Sequence, residues 1–243
     1  MFMICVYYLN ERDIHVRMAM NSLHMLRAHN QSVPIRLFMV SNEFVPKYKH
    51  TEKLLKWCKE WRVEVVQKPL DHEFFFTNKH HIKDCPENRI LFIDADTFIF
   101  DDVEKIFDKY QDCDFVGCEN EWVTGRGWDN FLDGVMPFNG GVQLYNNGCH
   151  RNILGQLPSK CNDLGAMGKW LKEGDMEHNR EEMAISKIVA KEHSFEYFRR
   201  EDCLIPLCSS DLDNPQETII FHSFVSQWSQ IYSTAASKKF SLM

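Results

Sequence analysis

The sequence predicts an α/β fold with a mostly parallel central sheet and helices on both faces. Apolar, β-rich segments alternate with helical patterns along the first part of the chain, which is typical of a parallel sheet. In addition, the nearly continuous apolar run Arg89–Ile93 is typical of a strand that is covered on both faces. The chain has 243 residues, of which 44% are apolar, enough for one domain with a real core.

The first half contains the clearest elements. Each helical segment carries a broad apolar face, and each strand is bounded by polar or turn residues. The predicted strands are residues 3–8, Ile35–Val40, residues 62–66 and Arg89–Ile93, and the predicted helices are Asp13–His29 and residues 47–61.

The second half is less regular. We expect strands at residues 114–118 and Phe138–Tyr145, with a long loop at 119–137 between them. A helix at 179–191 and a short strand at 218–221 follow. Residues 1–228 are predicted to form a single domain, and the Ser-, Ala- and Lys-rich segment 229–243 a mobile tail.

Charge and cysteine content exclude several classes of protein. The net charge of −7 argues against a general nucleic-acid binder, which would carry a basic excess. No apolar run reaches the roughly 18 residues of a membrane span, and the apolar N-terminus is interpreted as a strand rather than a signal peptide. None of the nine cysteines forms a CxxC pair, which argues against a zinc site. We therefore expect reduced, buried thiols in a soluble cytoplasmic protein.

Two carboxylates directly after the buried strand give the strongest chemical signal. In extended backbone, Asp94 and Asp96 point to the same side while Ala95 points away. Ligands of open α/β sheets bind just beyond the carboxyl ends of the strands. Paired carboxylates there require a cation, and their hard oxygens suit Mn²⁺ or Mg²⁺, whose remaining positions a diphosphate can fill. The simpler alternative is an Asp-rich turn.

Four segments together resemble a known family. The run Ile-Leu-Phe-Ile-Asp94-Ala-Asp96-Thr looks like the DxD motif of glycosyltransferases with the GT-A fold. Residues 76–79 (FTNK), 138–145 (FNGGVQLY) and 219–222 (IIFH) resemble segments of glycogenin-like members, in the order that the family has them. The resemblance implies a GT-A fold with a Rossmann-like sheet, and a retaining transferase of that type.

The resemblance also implies a metal site and a donor site. Asp94 and Asp96 would hold the metal with His222, whereas the other ten histidines are expected to be ordinary surface or core residues. The implied donor contacts are Tyr7, Tyr8, Asn10, Lys79, Asp94, Ala95, Asp96, Asn139, Gly140, Gly141 and Gln227. Adjacent glycines in a strand also indicate close approach by a ligand or another backbone. The family has a lysine near the position of Gln227. The glutamine of this sequence carries no charge.

Catalytic and acceptor residues follow from the same resemblance. Glu181 and Glu182 match the position near the anomeric carbon, where a carboxylate would stabilise positive charge or attack it. Trp122 and Trp128, in the loop 119–137, are expected to bind a glycan acceptor. The favoured donor is a UDP-sugar and the favoured outcome is retention. An inverting route would need a base, for which the candidates are Asp129, Asp133, Asp211 and Asp213.

The sequence is also compatible with two other functions. A haloacid-dehalogenase-like phosphatase also places D-x-D after an apolar run, with Asp94 as nucleophile and Asp96 as acid. That motif usually opens the chain, whereas here it follows about ninety residues of α/β pattern. A non-catalytic module that binds a nucleotide-sugar or a glycan is the third possibility.

Overall fold

A computed structural model describes residues 3–10, 12–41, 49–72, 75–120, 135–166, 176–206 and 215–222. Two 3₁₀-helices, Phe75–Asp84 and Pro215–Glu217, accompany the strands and α-helices of these ranges. The strands are β1 (Met3–Leu9), β2 (Ile35–Val40), β3 (Val63–Lys68), β4 (Arg89–Ile93), β5 (Thr97–Ile99), β6 (Phe115–Glu119), β7 (Phe138–Tyr145), β8 (Phe195–Tyr197), β9 (Cys203–Leu204) and β10 (Ile220–His222). The α-helices are α1 (Asp13–His29), α2 (Lys49–Glu60), α3 (Glu104–Lys109), α4 (His150–Ala166) and α5 (Met176–Glu192).

The central sheet has seven strands in the order β3-β2-β1-β4-β7-β6-β8. All neighbours pair in parallel except β7, which is antiparallel to both β4 and β6. A smaller sheet has the order β5-β10-β9. The prediction of a mostly parallel α/β sheet is therefore confirmed.

Both faces of the central sheet are covered. Along β1 the side chains alternate, with Cys5 and Tyr7 in one apolar cluster and Val6 and Tyr8 in another. The first cluster includes residues of α1, α2 and α3, and the second includes residues of α4 and α5. This two-sided burial explains why the β1, β2 and β4 sequences are nearly continuous apolar runs rather than alternating, with Arg36 and Arg89 as the charged exceptions.

Several predicted boundaries differ from the observed ones. The third strand was predicted at 62–66 but begins at Val63, because Arg62 has a positive φ of 55° and lies in the turn. The last strand was predicted at 218–221 but is Ile220–His222, so His222 is part of it. Of the predicted loop 119–137, residues 121–134 lie outside the described part, as does the predicted tail 229–243.

The cysteines of the described ranges are free thiols, as the sequence predicts. Eight cysteines in the described ranges are buried and none of them is in a disulfide. None of the described helices is both long enough and apolar enough to cross a membrane.

Candidate active site

The carboxyl end of β4 carries the predicted acidic pair. The backbone N–H of Asp94 donates to the Gly141 carbonyl oxygen of β7 at 2.7 Å, which fixes the chain where it leaves the sheet. Thr97 Oγ1 donates to the Asp94 carbonyl at 2.9 Å, and closes the turn that contains both acids. Both carboxylates are partly exposed, with 24% and 17% of their side chains accessible, so a ligand can reach them.

The small sheet brings His222 to this pair. In the antiparallel register of β10 and β5, His222 lies opposite Thr97, one residue after Asp96. Its Nε2 is 3.2 Å from Asp96 Oδ1 and 4.0 Å from Asp94 Oδ2. One ligand atom from each of the three residues lies within 4.8 Å of the others. Two carboxylates and one imidazole are a donor set that fits Mn²⁺ or a similar divalent ion.

The electrostatics of the group also fit a cation. Burial and the neighbouring Asp96 raise the pKa of Asp94 to about 7, although Lys79 and His222 oppose this. Burial lowers the pKa of His222, but the two aspartates outweigh burial and raise it to about 9. Without a metal, a proton on His222 therefore supplies the positive charge that the aspartates require. A divalent ion would replace that proton, because a ligating imidazole must be neutral.

Lys79 lies buried beside the acidic pair. It extends from the 3₁₀-helix Phe75–Asp84, and its Nζ donates to Gly140 O at 2.7 Å and to Glu181 Oε1 at 3.1 Å. The same Nζ is 4.0 Å from Asp94 Oδ1. Burial lowers the pKa of Lys79, but the charges of Asp94 and Glu181 outweigh it and the net shift is upward. Lys79 is therefore held as a cation between β4, β7 and α5.

Glu181 and Glu182 are adjacent on α5 but have different environments. Glu181 is buried and pairs with Lys79, so its carboxylate is committed to that contact. Glu182 is half-buried and accepts from Gly140 N at 2.7 Å, Asn139 Nδ2 at 3.2 Å and Asn120 Nδ2 at 2.6 Å. Burial and the charge of Glu181 raise the pKa of Glu182 to about 8, against the lowering effect of the Gly140 N–H. Glu182 is thus the accessible carboxylate of the two.

The adjacent glycines leave room for protein side chains rather than for another backbone. A Cβ on Gly140 would lie 2.7 Å from Glu181 Oε2, and one on Gly141 would lie 2.0 Å from the His222 ring. The sequence predicted a close approach by a ligand or another backbone, whereas the groups that approach here are the side chains of Glu181 and His222. Asn139, next to them, is nearly buried and accepts the Gly141 N–H through Oδ1 at 2.8 Å.

The residues predicted to bind the nucleotide are mostly internal. Tyr7 is completely buried and its hydroxyl lies 3.0 Å from Ser22 Oγ, which in turn is 2.7 Å from Thr97 Oγ1. The prediction that its ring contacts the nucleotide is corrected, since the ring supports the turn after β4. Tyr8 is also nearly buried, and its hydroxyl donates to Phe75 O at 2.7 Å.

The structure describes Asn10, whereas several other predicted residues lie outside the described ranges. Asn10 Oδ1 accepts from Arg12 N and lies 2.8 Å from His15 Nδ1, at the start of α1. Asn120 was not predicted, because a single Asn after a strand carries no pattern. The predicted residues Trp122, Trp128 and Gln227, and the candidate bases Asp129, Asp133, Asp211 and Asp213, lie outside the described residues.

Comparison with known proteins identifies the fold. No family model matches the chain. No curated protein sequence matches it either. Solved glycosyltransferases do have a similar structure. LgtC, a galactosyltransferase in complex with donor and acceptor sugar analogues, is 11% identical over 95% of both chains, with a TM-score of 0.64. GlyE of Streptococcus pneumoniae TIGR4 is 18% identical over 98% of this chain and 64% of its own, with a TM-score of 0.60.

A third structure agrees with these two. Mouse xyloside xylosyltransferase 1 is 14% identical over 90% of this chain and 96% of its own, with a TM-score of 0.54. The chain therefore has the GT-A fold of glycosyltransferases, as the DxD-like motif led us to expect. At these identities the likeness shows the fold alone.

Proposed function

We propose that this chain is a metal-dependent glycosyltransferase. The donor is a nucleotide-diphosphate sugar, with a UDP-sugar favoured, and the acceptor is a hydroxyl group of a glycan. The observation that carries the proposal is the convergence of Asp94, Asp96 and His222 beside a buried Lys79 and an accessible Glu182. Asp94 and Asp96 directly follow the carboxyl end of β4, and open α/β sheets bind ligands at that edge, which supports the proposal.

In this proposal the metal ligands are Asp94, Asp96 and His222, and Mn²⁺ or Mg²⁺ would neutralise the charge of the leaving diphosphate. The exposed oxygens of Asp94 and Asp96 orient the donor. Lys79 adds a positive charge that burial keeps free of bulk water. Asn139, Gly140 and Gly141 border the sugar, and Tyr8 and Asn10 border the nucleotide side.

Glu182 is the proposed catalytic carboxylate. The three N–H groups that surround it aim its charge and stabilise the ionised form. As the bond between the anomeric carbon and the diphosphate breaks, its electron pair leaves with the diphosphate, and Glu182 faces the positive charge that develops on the sugar. The acceptor hydroxyl oxygen forms the new bond to the anomeric carbon, and its proton passes to the departing diphosphate. A carboxylate on the face of the sugar away from the leaving diphosphate favours retention of the anomeric configuration. Glu181 acts indirectly in this scheme, since it holds Lys79.

The experiment is a transfer assay with a panel of UDP- and GDP-sugars, each with and without Mn²⁺. We expect release of one nucleotide from one sugar class, dependent on Mn²⁺ and abolished in Asp96→Asn. NMR of the product is expected to show the anomeric configuration of the donor. An inverted linkage would contradict the role of Glu182, and release of phosphate from simple phosphomonoesters that depends on Asp94 would favour the phosphatase.

The acceptor assignment is tested separately. The segment 119–137, which the sequence predicts to be a loop, contains Trp122 and Trp128, and indole rings are suited to stacking on sugar faces. We propose that deleting residues 125–129 impairs transfer while donor hydrolysis and donor affinity stay within about twofold of wild type. Equal loss of donor binding would contradict an acceptor role for the loop.

A further inference from the structure

A second group of possible metal ligands lies away from the acidic pair of β4. Asp71 follows β3, and His80 and His81 belong to the 3₁₀-helix Phe75–Asp84. Asp71 Oδ2 is 3.3 Å from His80 Nε2, and Asp71 Oδ1 is 3.5 Å from His81 Nε2. His81 Nε2 is also 3.0 Å from the Pro69 carbonyl oxygen. The two imidazole rings lie side by side, with centroids 4.2 Å apart.

We propose that Asp71, His80 and His81, with the Pro69 carbonyl, form a second metal site that takes Zn²⁺ or a similar borderline ion. Imidazole nitrogens and a carboxylate oxygen bind Zn²⁺ at about 2.0–2.2 Å, so neighbouring ligands of a tetrahedral ion lie about 3.4 Å apart. The separations of 3.3 Å from Asp71 Oδ2 to His80 and 3.5 Å from Asp71 Oδ1 to His81 are close to that spacing. The 3.0 Å contact of His81 Nε2 with the Pro69 carbonyl is a hydrogen bond in the metal-free protein, and its proton would leave when the ion binds. The group thus has the size of a coordination shell.

The tautomer of His80 points to the same conclusion. Its Nδ1 lies 3.1 Å from the Thr77 carbonyl oxygen, which can only accept, so Nδ1 carries a proton. In the neutral ring, Nε2 then presents a lone pair to a carboxylate oxygen of Asp71. Two lone pairs that face each other at 3.3 Å form a place for a cation, which is either a proton on Nε2 or a metal ion. A backbone carbonyl on the distal nitrogen is the usual support of a metal-bound histidine.

The backbone around Asp71 is held independently of any ion. Asn78 is completely buried, and its Oδ1 accepts the N–H groups of Asp71 and His72 at 3.0 Å each. Its Nδ2 donates to the carbonyls of His72 and Phe75. This amide folds the segment after β3 back onto the 3₁₀-helix, so the carboxylate is placed before the ion arrives and less ordering entropy is lost on binding.

An ion at this site would fasten the helix that carries Lys79. His80 and His81 directly follow Lys79, whereas Pro69 and Asp71 belong to the connection from β3. The expected role is structural: the ion ties the position of Lys79 to the edge of the central sheet. The proposal does not depend on the transfer reaction, since it uses none of the residues at the carboxyl end of β4.

The test uses metal-stripped full-length protein titrated with Zn²⁺, and with Co²⁺ for its visible absorption, in the absence of nucleotide. Asp71 is exposed, so Asp71→Asn changes the site without disturbing the core. We expect this variant to bind Zn²⁺ at least about 10-fold more weakly than wild type. Asp96→Asn should keep the ion, and His50→Gln, which removes half of the separate His50–Asp13 pair, should bind like wild type.

A second readout checks the structural role. Amide hydrogen exchange of residues 75–84 should slow on addition of Zn²⁺ in wild type and in Asp96→Asn, and should not change in Asp71→Asn. Unaltered Zn²⁺ affinity in Asp71→Asn would overturn the proposal. Loss of the only bound ion in Asp96→Asn would also overturn it, because the ion would then belong to the site of Asp94, Asp96 and His222.

Discussion

At the scale of single residues, Glu182 is the group on which the proposed chemistry depends. Its pKa of about 8 exceeds the ordinary value because burial and the charge of Glu181 penalise ionisation. The proposed reaction requires the ionised form, so kcat should rise with pH and level off above about pH 8. Glu182→Gln should lower kcat by roughly 10²–10³-fold and change donor affinity little. A kcat unaffected by the substitution would contradict the assignment.

Gly141 tests the geometry of the metal ligands. A methyl group there would lie 2.0 Å from the His222 ring and must displace it. Gly141→Ala should therefore weaken Mn²⁺ binding by roughly 10- to 100-fold, measured by titration calorimetry. Gly155→Ala is the matched control, because a Cβ at Gly155 meets nothing within 4 Å. Equal Mn²⁺ affinity in both variants would place His222 outside the metal site.

The pKa of His222 gives a pH dependence for metal binding. The aspartates raise that pKa to about 9 in the metal-free protein, so a proton competes with the metal below this pH. Mn²⁺ affinity should increase as pH rises from 6 toward about 9 and then level off. An affinity independent of pH over this range would show that the imidazole is not a ligand.

At the scale of elements, one buried ion pair joins the 3₁₀-helix Phe75–Asp84 to α5. Lys79→Met would leave the buried carboxylate of Glu181 without its counter-charge, and should destabilise the fold by about 3–5 kcal/mol in urea unfolding. The exposed pair Lys56–Glu60 is the control, and Lys56→Met should cost less than about 1 kcal/mol. Similar decreases in the free energy of unfolding of the two variants would show that the buried Lys79–Glu181 pair stabilises the fold no more than an exposed pair does.

The elements also show what the sequence could and could not predict. β1, β2 and β4 were predicted within one residue, because strands buried on both faces are nearly continuous apolar runs. The 3₁₀-helix Phe75–Asp84 was not predicted, since Asn78 and Lys79 are polar residues that are buried only through tertiary partners. Helix α4 was not predicted either, and it contains Gly155 and Pro158, both of which disfavour a helical interpretation.

The sequence pointed to the three residues of the candidate metal site more clearly than to the residues that support them. Asp94, Asp96 and His222 follow or end strands, and their convergence is confirmed. The role of Asn120 could not be predicted, because it depends on a contact with a residue of α5 that is 62 positions away. Tyr7 was predicted from its place at the end of a strand, but the alternation of β1 directs it into the core.

At the scale of the whole molecule, the sheet order explains why distant segments form one site. β7 lies between β4 and β6, antiparallel to both, so its glycines pass beside the turn after β4. The small sheet adds β10 against β5 and brings in His222 from near the end of the described chain. The proposed donor site therefore requires the complete fold, and metal and nucleotide binding should be lost together when the protein unfolds.

The central claim is tested most directly by thermal stability with UDP and Mn²⁺. A ligand that binds only the folded state stabilises it, by about 2.7 kcal/mol at a concentration 100-fold above Kd, or roughly 5–10 °C for a chain of this size. We expect such a rise in Tm with UDP and Mn²⁺ together, little with UDP alone, and none in Asp96→Ala. No change in Tm with any nucleotide at millimolar concentration, or an equal rise in Asp96→Ala, would contradict the proposed donor site.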